Sequence, residues 1–108
     1  MNKERNGSFI YNVTIRVDQE IHEAWVDWMK KDHIPKVMDT GCFTHYQFVR
    51  LLEIDETDGP TYAVQYYAAA KDQYERYVET YAPVLRREIS DAWGDRFIAF
   101  RSLMQVVN

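Results

Sequence analysis

Apolar positions along this chain recur with two different periods, and the places where the period changes mark out its elements. From Phe9 to Val17 the residues alternate, with Tyr11, Val13, Ile15 and Val17 on one face and the mixed set Ile10, Asn12, Thr14 and Arg16 on the other, which predicts a strand with one core-facing side. The period then lengthens. Ile21, Trp25, Trp28, Met29, His33 and Val37 recur every three to four residues, the stripe of an amphipathic helix. Asp18 is placed to cap its first turn and Glu20 to complement the dipole there. Pro35 predicts a kink or break, with a short continuation to Thr40 and a stop at Gly41.

Two more β-type runs follow, from Cys42 to about Leu52 and from Thr61 to Ala68, with Asp58, Gly59 and Pro60 as turn formers between them. They predict a hairpin. A second helical region starts near Asp72, where Asp72 and Glu75 have capping-box spacing. Its stripe is Tyr74, Tyr77, Val78 and Tyr81, continued past Pro83 by Val84, Leu85, Ile89, Ala92 and Trp93 up to Gly94. A last strand from about Phe97 to Val107 is apolar on both parities, interrupted by Arg101 and Gln105. Strand, helix, strand, strand, helix, strand is the order of an α+β, ferredoxin-like βαββαβ fold: a four-stranded antiparallel sheet with both helical regions on one face. Residues 9–108 are expected to form a single domain, and residues 1–8 a polar extension.

The uncovered face of that sheet is where the pattern suggests chemistry. If Tyr11, Val13, Ile15 and Val17 lie under the helices, parity gives the other side Asn12 and its neighbours, Phe43, His45, Gln47, Val49 and Leu51, and Ala63, Gln65 and Tyr67. Strand four adds either Phe97, Ala99, Arg101 and Leu103 or their alternates. Such a half-apolar face suits burial against a second copy, making a homodimer, with a few polar groups pointing into the joint cavity. Asn12, His45, Gln47, Gln65 and Arg101 are the candidate ligand-binding residues. Arg101 favours an anionic or carbonyl-bearing ligand through its fork of donors. The plainer reading is that these groups satisfy one another across a dimer interface.

Composition narrows the field. A formal net charge of −4 over 108 residues opposes nucleic-acid binding, and Arg86 with Arg87 is too small a basic cluster to reverse it. No apolar run approaches a membrane span, the start MNKERNGS lacks the apolar stretch of a secretory signal, and one cysteine, Cys42, forms no internal disulfide. A cytoplasmic protein without membrane contact is the expectation.

The runs Tyr11-Asn12-Val13-Thr14, Trp25-Val26-Asp27-Trp28-Met29-Lys30 with His33-Ile34-Pro35, Tyr62-Ala63-Val64-Gln65-Tyr66 and Phe97-Ile98-Ala99-Phe100-Arg101 together resemble a family of short bacterial proteins classed as a domain of unknown function. The chain is also similar to the wider dimeric α+β barrel superfamily, in which two ferredoxin-like sheets face one another. That resemblance implies a dimer with a cavity, and the superfamily spans cofactor-free monooxygenases, haem-degrading enzymes, isomerases and ligand-sensing modules, so it implies no single chemistry.

Two histidines are candidates for catalysis. His33 falls on or beside the sheet-facing side of the first helix and is expected near one mouth of the cavity, where it can serve as acid, base or ligand. The alternative is a helix-end histidine facing free carbonyls. His45 lies on the mixed parity of strand two. Neither has the partners of a metal site, so no metal and no cofactor are expected. Three readings stay open: a homodimer binding a small apolar or aromatic ligand, a cofactor-free enzyme of monooxygenase or isomerase type using His33 or His45, and a non-catalytic interaction module.

Overall fold

The structure, a computed structural model, describes residues 8–108; all but the last residue of the expected N-terminal extension lies outside the described residues. Four strands, β1 (Phe9–Val17), β2 (His45–Arg50), β3 (Thr61–Ala68) and β4 (Phe97–Gln105), form one antiparallel sheet in the order β2-β3-β1-β4. Both helical regions pack on the same side of it, as the βαββαβ order requires. β1 is central, pairing Tyr11 with Tyr66 and Val13 with Val64 on one side and Val13 with Arg101 on the other.

The core lies between the sheet and the helical layer. Tyr11 is its hub: its ring stacks on Phe43 and Tyr66 at 6.1 and 6.0 Å and meets Tyr74 and Tyr77 at 5.6 Å each. Trp25, Met29, Ile34 and Val37 come down from the first helical region, and Tyr77, Ala82 and Leu85 from the second. Burying a large aromatic side chain contributes roughly 2–3 kcal/mol from apolar area alone, so this aromatic layer is the main reason the helices stay on the sheet.

Asp18 caps as expected, its Oδ1 accepting from the Glu20 amide at 2.9 Å. A short 3₁₀ turn, Gln19–Ile21, then leads into α1 (His22–Trp28). The expected break at Pro35 is replaced by a different device. The chain passes through a wide π turn, Met29–His33, in which the Ile34 amide reaches back to the Met29 carbonyl, and continues without interruption as α2 (Ile34–Asp39). Pro35 sits in the first turn of α2, where a missing donor costs little. The second helical region repeats the plan: α3 (Lys71–Arg76), a π turn at Tyr77–Tyr81 closed by the Ala82 amide on the Tyr77 carbonyl, and α4 (Ala82–Trp93) with Pro83 in its first turn. Met29, His33-Ile34-Pro35 and Val37 therefore correspond to Tyr77, Tyr81-Ala82-Pro83 and Leu85. The extra residue in each wide turn shifts the helical phase, bringing two consecutive side chains toward the core.

Three local expectations need correction. Asp72 does not cap; Ala70 is the capping residue and makes no side-chain bond, so the second helix starts one residue earlier at Lys71. β2 starts at His45, not Cys42, because the chain at Cys42 and Phe43 dives into the core, where both are buried and Phe43 contacts Tyr11, Tyr66 and Tyr77. Phe43 thus belongs with the helix-covered side. β4 stops at Gln105.

The β2–β3 connection turns at Gly59, whose φ of +124° is accessible mainly to glycine. A Cβ there would lie 1.9 Å from the Val17 carbonyl oxygen. Gly59→Ala is therefore expected to lower the unfolding free energy by about 2–4 kcal/mol, measured by urea denaturation; a change below about 0.5 kcal/mol would show that the turn does not need this approach.

Candidate functional site

Sheet register divides the predicted site residues between two faces. Gln47 pairs with Gln65, Gln65 with Asn12, and Asn12 with Ser102, so these four form a polar row across the sheet on the side away from the helices. His45 stands in the neighbouring row beside Tyr67, whose ring it stacks on at 4.2 Å and 9°. Its Nδ1 is 2.8 Å from the Thr44 hydroxyl, and Asn12 donates to the Thr14 hydroxyl at 3.0 Å. Four of the five expected ligand-binding residues thus share one face.

Arg101 does not join them. It pairs with Val13, and directly opposed residues of antiparallel strands project to the same side, so its side chain belongs to the helix-covered face. The uncovered face of β4 carries Ile98, Phe100, Ser102 and Met104 instead.

On the helix side Arg101 helps to line a cavity of about 30 Å³ whose walls include Tyr11, Val64, Met29, His33, Tyr77 and Arg86. That volume holds about two or three water-sized groups. His33 is not at the mouth of a cavity between sheets but in this one, only 6 % exposed, with its ring stacked on Trp28 at 5.5 Å and 15°. Trp28 in turn meets Trp93 edge-on at 5.8 Å. The π turn puts His33 there, since it closes directly before Ile34 and turns both inward.

Polar satisfaction sets this cavity apart. Buried nitrogen atoms are almost always hydrogen-bonded, yet His33 Nδ1, Arg86 Nε and Trp93 Nε1 are buried without a partner. Two of these three residues line the cavity. Arg86 Nη2 donates to the Tyr11 hydroxyl at 3.1 Å, which aims the guanidinium across the sheet. Burial pushes the His33 imidazole down to about 4, with the Glu88 and Asp32 carboxylates offsetting only part of that shift. His33 is consequently neutral at pH 7, presenting one N–H and one lone pair. Burial raises the Tyr77 phenol well above its ordinary value, against the opposing pull of Arg86 and Arg101, so it too is neutral and able to donate.

A larger cleft of about 530 Å³ opens at the strand ends around Arg16, Asp18, Glu20, Asp95 and Arg96. Its central guanidinium is already taken: Arg96 donates to Asp18 at 2.8 Å and to Glu20 at 2.7 Å. His22 contacts the Tyr62 hydroxyl, and neither residue lines the cleft or the cavity. Among the described residues no group of three or more His, Cys, Asp or Glu side chains is arranged to hold a metal ion.

Arg86 is the residue that the sequence reading passed over, as half of a small basic pair. Its spacing was informative: Ala82, Leu85, Arg86, Ile89 and Trp93 follow the helical stripe, so Arg86 is a charge on the apolar face.

The model of a family described as "Domain of unknown function (DUF4286)" matches residues 8–107. None of the curated proteins matches the sequence. Solved structures with a similar fold include a dimeric ferredoxin-like protein from an uncultured marine organism (TM-score 0.65, 14% identity, 94% of this chain and 96% of that one covered). They also include SnoaB, a cofactor-independent oxygenase from Streptomyces nogalater (0.65, 10%, 94% and 95%), and the hydroxynitrile lyase of Passiflora edulis (0.66, 12%, 95% and 98%). At these identities the likeness establishes the fold alone, a ferredoxin-like α+β arrangement of four antiparallel strands and two helical regions.

The neutral state of His33 has a measurable consequence. In the unfolded chain the imidazole takes up its proton near pH 6.5, whereas in the folded protein it resists until about pH 4. The unfolded state therefore binds more protons between these values, and stability falls as pH drops through that window, by about 3 kcal/mol in total from this group, levelling off below it. Urea titrations of the wild type and His33→Gln from pH 7 to 4 should show a shallower loss in the variant; parallel curves would contradict the assignment.

Proposed function

Starting from a chain that belongs to the DUF4286 family, whose description assigns no function, we propose that the protein is a homodimeric small-molecule-binding protein with a ligand site in each protomer, between helices and sheet, around His33. The observation that carries this reading is the pair of buried, unpartnered nitrogens, His33 Nδ1 and Arg86 Nε, on the wall of one cavity. Leaving such groups unpaired costs about 1–3 kcal/mol each, and a ligand or ordered water supplies the missing bonds.

The uncovered sheet face is assigned to the dimer. Ile98, Phe100 and Met104 are 48, 68 and 36 % exposed in the protomer and flank the Gln47-Gln65-Asn12-Ser102 row together with Ile10 and Val49. A second copy laid on this face covers the apolar side chains and lets the central amides bond across the joint. The marine neighbour described as dimeric supports this arrangement.

A catalytic reading, cofactor-free proton transfer by His33, is favoured by one feature: a neutral imidazole in a buried cavity next to two guanidinium groups, where a proton can be accepted while an oxygen gains charge. The oxygenase and lyase among the structural neighbours belong with this reading. Turnover would then be lost in His33→Gln with binding retained.

A thermal-shift panel of small carbonyl compounds and organic acids separates the two locations. Binding should disappear in His33→Phe, which fills the cavity, and survive in Gln65→Ala. The reverse pattern would place the ligand between the sheets. For the dimer, Phe100→Arg buries an unpaired charge in the interface and should raise the dimer dissociation constant by at least about tenfold in sedimentation experiments; wild-type protein that sediments as a monomer at micromolar concentration would overturn it.

A further inference from the structure

The charge inside the cavity specifies its ligand more closely, and this step rests on the site proposed above. Of the lining residues, two carry fixed positive charge, Arg86 and Arg101, and none carries a carboxylate. Neither guanidinium takes part in an ion pair among the described residues, where the six ion pairs involve Lys31, Lys36, Arg50 and Arg96 instead. An arginine near a buried surface without an acidic partner is unusual because the desolvated charge is costly unless compensated. Arg86 spends one donor on the neutral Tyr11 hydroxyl, and its Nε–H has no acceptor. Arg101 projects from the exposed edge strand β4 to the same cavity, so it stands at the solvent side of the wall while Arg86 reaches the interior.

We infer that the cavity is an oxyanion site: it takes a small organic acid whose carboxylate enters past Arg101 and accepts from the Arg86 Nε–H, with the rest of the molecule against Met29, Val64 and the tyrosine rings. His33 completes the specificity. A neutral imidazole adds no charge and leaves the carboxylate's compensation to the two arginines, while it offers a hydrogen bond to a second polar atom of the ligand. The cavity in its present form holds about two or three water-sized groups, the size of a carboxylate. Larger acids need the mouth at β4 to widen. A guanidinium paired with a carboxylate is stronger and more directional than one paired with a neutral acceptor, so the site should separate an acid from its amide.

The test uses acetate and its uncharged isostere acetamide, titrated into ¹⁵N-labelled full-length protein at constant ionic strength, with the Arg86 Nε–H signal as the local readout. Acetate should shift that signal saturably at millimolar concentration, and acetamide should bind at least tenfold more weakly. Arg101→Gln, at an exposed position, should weaken acetate at least tenfold and leave acetamide unaltered; Arg86→Gln should do the same if it folds. Equal binding of acetate and acetamide, indifferent to Arg101→Gln but lost in His33→Phe, would refute the anion preference while upholding a ligand site in this cavity. Binding of neither compound, with the Arg86 signal unmoved by any acid or neutral carbonyl compound in the panel, would overturn both.

Discussion

The register between β1 and β4 is the constraint on which the site depends. Direct pairing of Val13 with Arg101 sends one guanidinium under the helices and leaves Phe100 and Ser102 on the open face; a slip of one residue would exchange them. The register is pinned at both ends. Beyond β1 the Asp18 amide donates to the Arg96 carbonyl at 2.9 Å, and the Arg96 side chain clasps Asp18 and Glu20. At the other end the Val106 amide donates to the Ser8 carbonyl at 3.0 Å. Asp18 thus caps the first helical region and holds the last strand, and its carboxyl is kept below the usual range chiefly by the Arg96 hydrogen bond.

With the two faces separated in this way, each takes a different task. The helix-covered side gathers a tyrosine-rich core around Tyr11, and the same ring that holds the layers together aims Arg86 through its hydroxyl. The two π turns bring His33 and Tyr77 to the cavity, and wide turns of this kind are often found where a helix carries functional side chains. Lys36 on α2 bridges to Glu88 on α4 at 3.1 Å, tying the two helical regions together behind the site. The open side keeps a polar row between apolar rows, a pattern suited to a specific joint with a second sheet.

Much of this order is legible in the residues, and the failures have physical causes. The alternation in β1, the three-to-four spacing of Trp25, Met29 and Val37, and the order of the elements that follow carry the architecture. Parity in β4 is not legible locally, because Phe97, Ala99 and Leu103 on one side are matched by Ile98, Phe100 and Met104 on the other; long-range pairing with β1, held by Arg96 on Asp18 at one end and Val106 on Ser8 at the other, decides it. Parity also misleads at Phe43, which precedes the strand. Pro35 and Pro83 announce irregularity without saying what kind, since a π turn and a kink both accommodate a missing amide donor. His33 was recognisable from spacing as facing the sheet, but its burial and loss of charge depend on tertiary packing. Arg86 was recognisable as a charge within an apolar stripe.

The central claim is that the helix-side cavity is a polar site whose buried nitrogens await partners. A high-resolution crystal structure measures this most directly. The account predicts electron density for water or a ligand atom within about 3 Å of His33 Nδ1 and of Arg86 Nε, in protomers joined through their open sheet faces. A dry, collapsed cavity, with both nitrogens bonded to neighbouring protein groups, would contradict it.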